Sequence, residues 1–269
     1  MRFCLAVIAL TAQFLSAAPS RAGEICTLVV DAKTRAPILE RGDCTRRATP
    51  ASTFKIPLAL IGYELGVLQS AHAPRLPFIE GTPDWGRQWR QPTDPAHWMA
   101  YSVLWYSQAI TPRLGAVNIT DHLHAFGYGN ADMSGDIAQS NGLERAWLSS
   151  SLQISPREQA GFLARLVTGD LPVRADTLRK TRAIVTHHAT VQGWRIQGKT
   201  GAAFPRQDSG SFDYARGFGW YVGWAENGAD KVVFAHLRQD ARRHDVSPGL
   251  RARATMQTIL APLLQGAQP

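Results

Sequence analysis

The chain has 269 residues, 45% of them apolar, and carries 29 basic against 21 acidic side chains, a formal charge of +8. A basic balance favours anionic ligands, carboxylates included, but without a recognition motif or a lysine-rich arm it does not describe a nucleic-acid binder. One apolar segment sits at the N-terminus and no second one of membrane-spanning length follows it, which argues against a membrane-embedded chain.

The first 22 residues read as a secretory signal. Arg2 is a short basic start, Phe3 to Leu15 an apolar run, and Ser20-Arg21-Ala22 places small residues where a signal peptidase reads. Cleavage is expected after Ala22, with a mature chain from Gly23. Loss of Arg2 and Arg21 then leaves 27 basic residues against 21 acidic ones. Cys4 leaves as well, so Cys26 and Cys44 remain as an even pair in an exported protein. Ile25–Asp31 and Pro37–Arg41 read as strands around the turn-like Lys33-Thr34-Arg35-Ala36. Such a hairpin brings its ends together, so a Cys26–Cys44 disulfide is expected, with two free thiols as the alternative. A metal site is not expected there, because neither a Cys-x-x-Cys nor a nearby histidine pair accompanies the cysteines.

Further along, a helix is predicted from about Thr53 to Val67. A connection rich in Pro and Trp follows from Ala73 to Pro95, ordered because Trp85 and Trp89 are expected to be buried. Helical patterns cover Met99–Leu114 and Ile119–Phe126. Ser155-Pro156-Arg157-Glu158 is a capping box with proline at the first helical position; it opens a helix to about Val167, and another covers Ala175–Thr186. The pattern then turns strand-like over Gly193–Thr200, Gly217–Glu226 and Lys231–Leu237, with Asn227-Gly228 as a hairpin turn between the last two. Leu250–Leu264 closes the chain as an amphipathic helix. Strands at both ends with helices between them predict an α+β architecture: one antiparallel sheet built from both termini, and a helical lobe over roughly residues 60–165. Residues 23–269 are expected to form one domain, with the site in the seam between the lobes.

The chemistry is carried by three short stretches. Ser52-Thr53-Phe54-Lys55 puts a hydroxyl and an amine one helical turn apart, the spacing at which a lysine can take the proton of a serine nucleophile. Alone the pattern is common on exposed helix faces. Here Phe54, Ile56, Pro57, Leu58, Leu60 and Ile61 surround it with apolar groups. Ser102-Val103-Leu104 and Lys199-Thr200-Gly201 follow in the order of a penicillin-recognising serine acyltransferase.

With Phe126-Gly127-Tyr128-Gly129-Asn130 and the long stretch Trp147–Gln159 added, the chain resembles the class D serine β-lactamases, the oxacillinases. The resembling segments also include Pro50–Pro57 and Gly198–Gly201 and are spread over most of the mature chain. The resemblance implies the serine β-lactamase/penicillin-binding transpeptidase-like fold and hydrolysis of penicillin-type β-lactams in the periplasm. Ser52 is then the nucleophile. Its backbone N–H and that of Ala202 form the oxyanion hole. Lys55 is the base, neutral because of burial and N-carboxylated by carbon dioxide, with the Trp147 indole holding the carbamate. Ser102 relays protons near the leaving nitrogen. Lys199, Thr200, Gly201 and Arg251 meet the substrate and its carboxylate, and Leu104 and Leu148 line the site. No metal and no cofactor beyond carbon dioxide or bicarbonate is implied. The partners are small-molecule β-lactams, not nucleic acid or, after signal cleavage, membrane, and the expected state is a monomer or homodimer. Two positions depart from the family pattern. Leu104 stands where valine is usual, narrowing access to Lys55, and Ala202 is small where relatives carry a larger side chain.

Other readings are weaker. Gly193 to Thr200 satisfies the phosphate-loop expression G-x-x-x-x-G-K-T, but a strand-like run with no helix after it is the wrong context. His122-x-His124 and His187-His188 lack a glutamate in zinc-enzyme spacing and read as solvated or capping histidines. Tyr128-Gly129-Asn130 is similar to the Tyr-x-Asn of class C enzymes, whose chains are much longer, and the class A motif Glu-x-x-x-Asn is absent. A D,D-peptidase or a β-lactam sensor would share the acylating parts and stop after one equivalent.

Overall fold

The N-terminal hairpin forms as expected, from β1 (Glu24–Asp31) and β2 (Pro37–Gly42), in the computed structural model, which describes residues 23–265. The expected signal segment, residues 1–22, lies outside the described residues. Asp31 builds the hairpin turn: its carboxylate accepts from the backbone N–H groups of Lys33 and Thr34 at 3.0 and 2.7 Å, a local pairing that holds the chain in a turn. The two ends meet, and Cys26 and Cys44 are joined by a disulfide with their Cα atoms 5.0 Å apart. Closing a loop of this length stabilises by about 3 kcal/mol through the unfolded chain. Replacing both cysteines with alanine is therefore expected to lower the urea unfolding free energy by about that amount. An unchanged midpoint would show that the link does not contribute.

Four more strands complete the sheet: β3 (His187–Val191), β4 (Trp194–Ala203), β5 (Phe218–Asn227) and β6 (Asp230–Gln239). The order is β2-β1-β6-β5-β4-β3 and every pair is antiparallel. The sheet is thus assembled from both ends of the chain, as the strand pattern predicts. Two details differ. The short β3 follows the expected helix, which ends at Ile184 rather than Thr186, and takes in the histidine pair His187-His188; its side chains are half exposed at the sheet edge, so it carries little apolar signal. The β5–β6 loop is Gly228-Ala229, because Asn227 still pairs with Asp230. Gly228, at φ 60°, takes the first loop position, where a left-handed residue is needed.

Alternation along the strands feeds two cores. Val29, Ile196, Tyr221 and Phe234 meet Ala252, Met256 and Leu260 of α8 (Pro248–Gln265) on one face. Leu28, Val30, Trp220, Val222, Val233 and Ala235 join the larger core on the other. That core is covered by α1 (Lys55–Glu64), α2 (Pro95–Tyr101), α3 (Leu104–Leu114), α4 (Ala116–Phe126), the short α5 (Gly142–Arg145), α6 (Pro156–Thr168) and α7 (Ala175–Ile184). The predicted capping box at α6 is present, with Ser155 and Glu158 bonding reciprocally.

The predicted helix over Met99–Leu114 is two helices. α2 begins where Asp94 caps the His97 N–H at 2.8 Å and Pro95 supplies the first turn. It ends at Ser102, which is left-handed at φ 58° and ψ 32°. The expected burial of the Pro/Trp-rich connection holds for Trp89 and fails for Trp85, which is 74% exposed. Trp89 fills the interior position and donates its indole N–H to Tyr101 O at 3.0 Å, while Trp85 stacks on its outer side at 5.0 Å.

Candidate active site

The first motif sits on a short 3-10 turn, Ala51–Phe54, that runs straight into α1. The turn is strained, with Ala51 at φ 51°, a conformation that costs an L-residue roughly 1–2 kcal/mol. Several hydrogen bonds hold it. The Trp147 carbonyl accepts from Ala51 N at 3.0 Å and from the Thr49 hydroxyl at 2.8 Å. The Trp220 indole N–H reaches Thr49 O at 2.9 Å. The Thr53 hydroxyl donates to Pro50 O at 2.7 Å and accepts from the Gln159 amide at 2.8 Å. The long Trp147–Gln159 signature is therefore in part a clamp on the serine turn: its first residue holds the approach to Ser52 and its last holds the exit. Tyr128-Gly129-Asn130 belongs to the same scaffold. Asn130 exchanges bonds with Gln153 and Ser151, and a Cβ on Gly129 would lie 2.1 Å from Gln153 O.

Ser52 is half-buried and Lys55 is only 1% exposed. Burial, and then the charge of Lys199, hold the Lys55 amine well below the ordinary lysine range. Its Nζ donates to Ser107 Oγ at 3.2 Å and lies 5.8 Å from the centre of the Trp98 ring. The Trp98 indole N–H donates to the same hydroxyl at 2.8 Å, which leaves Ser107 a proton of its own to give. Neither Ser107 nor Trp98 was singled out from the sequence. The available signal was a serine with no solvent-facing role, three residues beyond Leu104 in an apolar helix. Trp147 is buried, its ring stacked on Phe54 at 5.2 Å and 24°. Val103 is buried, and Leu104 and Leu148 are half-buried.

Lys199 is 3% exposed, and burial, with the charge of Arg253 as a second cause, brings its pKa down to about 7. Its Nζ donates to Ser102 Oγ and, at 3.2 Å, to Thr200 O. The left-handed turn at Ser102 thus places this hydroxyl on the Lys-Thr-Gly strand. β3 covers β4 only over Trp194–Gln197, and Thr186 O takes the Gly198 N–H at 3.1 Å. From Lys199 to Ala203 the edge of β4 is open. Gly198 and Thr200 direct their backbone groups to that edge, so Ala202, two residues on, directs its N–H there too. Gly201 packs against the serine turn, where an added Cβ would stand 2.9 Å from Pro50 O. Its lack of a side chain is what lets strand and turn approach. Ala202 lines a cavity of about 250 Å³ with Trp85, Phe204 and Tyr214.

The structure thus brings the serine turn against Gly201, sets Ser102 on Lys199 and places Lys55 within reach of the Lys199 charge. Arg251 is differently engaged: its guanidinium pairs with the buried carboxylate of Asp240 and donates to Val246 O at 3.1 Å. The phosphate-loop expression runs from the turn at Gly193 into β4, and the next element is the strand β5, not a helix. His188 Nδ1 lies 2.9 Å from the Tyr221 hydroxyl, and His122 Nδ1 lies 2.7 Å from Asn118 O.

A serine and a buried lysine at a helix start, a second serine–lysine pair and an open strand edge define the class of penicillin-recognising serine acyltransferases. Residues 20–261 match the family model for the penicillin-binding protein transpeptidase domain. The chain is 40% identical over 245 residues to β-lactamase OXA-9 of Klebsiella pneumoniae, covering 90% of this chain and 88% of that one. It is 32% identical over 240 residues to β-lactamase OXA-1 of Escherichia coli, covering 88% and 84%. The crystal structure of the OXA-427 class D β-lactamase superposes with a TM-score of 0.83 at 44% identity, over 90% of this chain and 98% of that one. The chain belongs to the class D β-lactamases and is a hydrolase.

Proposed function

We propose that this protein hydrolyses penicillin-type β-lactams through an ester on Ser52. The observation that carries the reading is the buried Lys55 amine behind Ser52, held below the ordinary lysine range. Only a neutral amine can accept the serine proton or add carbon dioxide. Carbon dioxide on Nζ would supply a carboxylate-like base, and the buried site fits it: burial disfavours the charged amine and Ser107 has a proton to give. Trp147 is the further indole assigned to it.

In acylation, Ser52 Oγ bonds to the lactam carbonyl carbon and its proton passes to the Lys55 side. The carbonyl oxygen becomes an oxyanion facing the N–H groups of Ser52 and Ala202. The C–N bond then breaks and Ser102 protonates the leaving nitrogen, itself resupplied from Lys199. Water, deprotonated on the Lys55 side, cleaves the ester and frees Ser52. Thr200 aligns the substrate on the β4 edge and Gly201 lets that edge close on the serine turn, with Leu104 and Leu148 as apolar walls. Export through residues 1–22 belongs to the same reading; among the described residues no helix is long and apolar enough to cross a membrane.

The test is turnover of a chromogenic cephalosporin alongside benzylpenicillin. Many equivalents hydrolysed per protein molecule are expected. One equivalent followed by a stable adduct would make the protein a peptidase or a sensor.

A further inference from the structure

Glycine follows two of the asparagines in the chain, Asn141 and Asn227. A glycine in that place leaves its backbone nitrogen open to bond with the asparagine side-chain carbonyl carbon, because no Cβ shields the approach. The two pairs sit in opposite settings. Asn141 precedes α5 and is locked on both sides. Its Oδ1 accepts from Asp136 N at 2.9 Å, its Nδ2 donates to Asp136 Oδ2 at 3.2 Å, and its carbonyl takes the N–H groups of Glu144 and Arg145. Gly142 is buried, in a space so tight that an added Cβ would stand 1.7 Å from Met133 O. Asn227 ends β5 at the exposed tip of the β5–β6 hairpin. Its side chain makes no hydrogen bond among the described residues. It lies on Gly193 of the neighbouring turn, where an added Cβ would stand 3.3 Å from Nδ2. Gly228 is exposed at φ 60° with nothing packed on it, and its N–H enters no backbone hydrogen bond among the described residues.

We infer that Asn227 is a self-modifying site whose only co-reactant is water. The Gly228 nitrogen loses its proton and bonds to Asn227 Cγ. The Cγ–Nδ2 bond breaks, and the side-chain nitrogen leaves with that proton as ammonia, closing a succinimide ring. Water then opens the ring at one of its two carbonyls. Addition at Cγ gives aspartate; addition at the backbone carbonyl gives isoaspartate. Both products act on the hairpin. Asn227 stands directly opposite Asp230 in the β5–β6 register, so an aspartate there sets two carboxylates face to face, which destabilises a strand pair. Isoaspartate lengthens the backbone by a carbon and breaks that last pairing. The Lys-Thr-Gly stretch pairs with the other end of β5, Thr200 with Tyr221. The modification therefore bears on the lifetime of the fold and does not depend on the chemistry of the cleft.

The full chain is kept folded in mildly alkaline buffer made with oxygen-18 water, and peptide mapping by mass spectrometry follows both Asn-Gly pairs. A denatured sample in the same buffer measures the unprotected chemistry. Asn227 is expected to convert at nearly the denatured rate and to take up the heavy oxygen, with isoaspartate among its products. Asn141 is expected to convert on the order of 10²-fold more slowly, the cost of holding the reacting atoms out of line. N227D, which mimics one product, is expected to unfold at a lower temperature, and N227D/D230N to regain that loss. An Asn227 that stays intact while the denatured chain converts would overturn the assignment, as would equal rates at Asn227 and Asn141 in the folded chain. Wild-type stability in N227D would overturn the cost assigned to the aspartate.

Discussion

Ser52→Ala is expected to abolish both the penicillin adduct and turnover while leaving the fold intact. The loss in kcat should be on the order of 10⁴- to 10⁶-fold, the scale seen when an activated nucleophile is deleted. Nothing else in the cleft can replace the serine. Ser102 stands on the Lys199 side of the site, at the end of α2, and receives a hydrogen bond from Lys199. The expectation that the fold survives is equally specific. The turn around Ser52 is held through Thr49, Thr53, Gln159 and Trp220. The Ser52 hydroxyl is not among these bonds, so its removal leaves the clamp in place. Intact-protein mass after exposure to benzylpenicillin, with thermal unfolding of the same sample, measures both halves. A stable adduct on the variant would remove Ser52 from the role of nucleophile.

How far the sequence could be read depended on whether a feature was local. The two motifs were legible as patterns because each needs only neighbours in the chain: one turn for Ser52 and Lys55, one strand for Lys199 to Ala202. The α6 capping box and the N-terminal hairpin were legible for the same reason. The break at Ser102 was not. Helical periodicity continues through Met99–Leu114, and nothing in it announces a serine in the left-handed region. Missing the break hid Ser107 as well, because α3 restarts at Leu104 and resets which of its residues face Lys55. Trp85 failed as a general rule applied to a particular place: large aromatics favour the interior, but Trp89 already occupied it. That Arg251 turns to Asp240 was not legible either, because a basic start to a helix does not say which flank each residue takes. The flank is decided by how α8 lies on β4 and β5, and that contact rests on Gly201, Gly219 and Gly249.

Activity is expected to depend on carbon dioxide bound at Lys55 and to fail in acid. The Lys55 amine is held below its ordinary range first by burial and second by Lys199. The neutral form therefore prevails above that lowered pKa, and protonation overtakes it as the pH falls through it. A protonated amine cannot keep carbon dioxide, so hydrolysis should fall on that acid limb and recover when bicarbonate is added at higher pH. The same shift has a cost in stability. Between the folded pKa and the ordinary value of 10.5 the unfolded chain binds a proton that the folded chain refuses, so the buried amine destabilises the fold at neutral pH. Lys55→Met should accordingly unfold at a higher temperature while losing deacylation, a trade common at strained catalytic positions. Leu104 opens α3 and is half-buried; if it narrows access to Lys55, Leu104→Val should speed the recovery by bicarbonate. Ser107→Ala removes the hydroxyl that Lys55 and Trp98 share and should weaken retention of carbon dioxide, raising the bicarbonate needed for half activity. Carbon-13 NMR with labelled bicarbonate, run beside turnover, reads the adduct directly. A carbamate resonance that vanishes in acid together with the rate is the expected result. Full activity in carbon-dioxide-free buffer with no such resonance would mean that Lys55 works as a plain amine, and the expected effects of Leu104→Val and Ser107→Ala on bicarbonate rescue would fall with it.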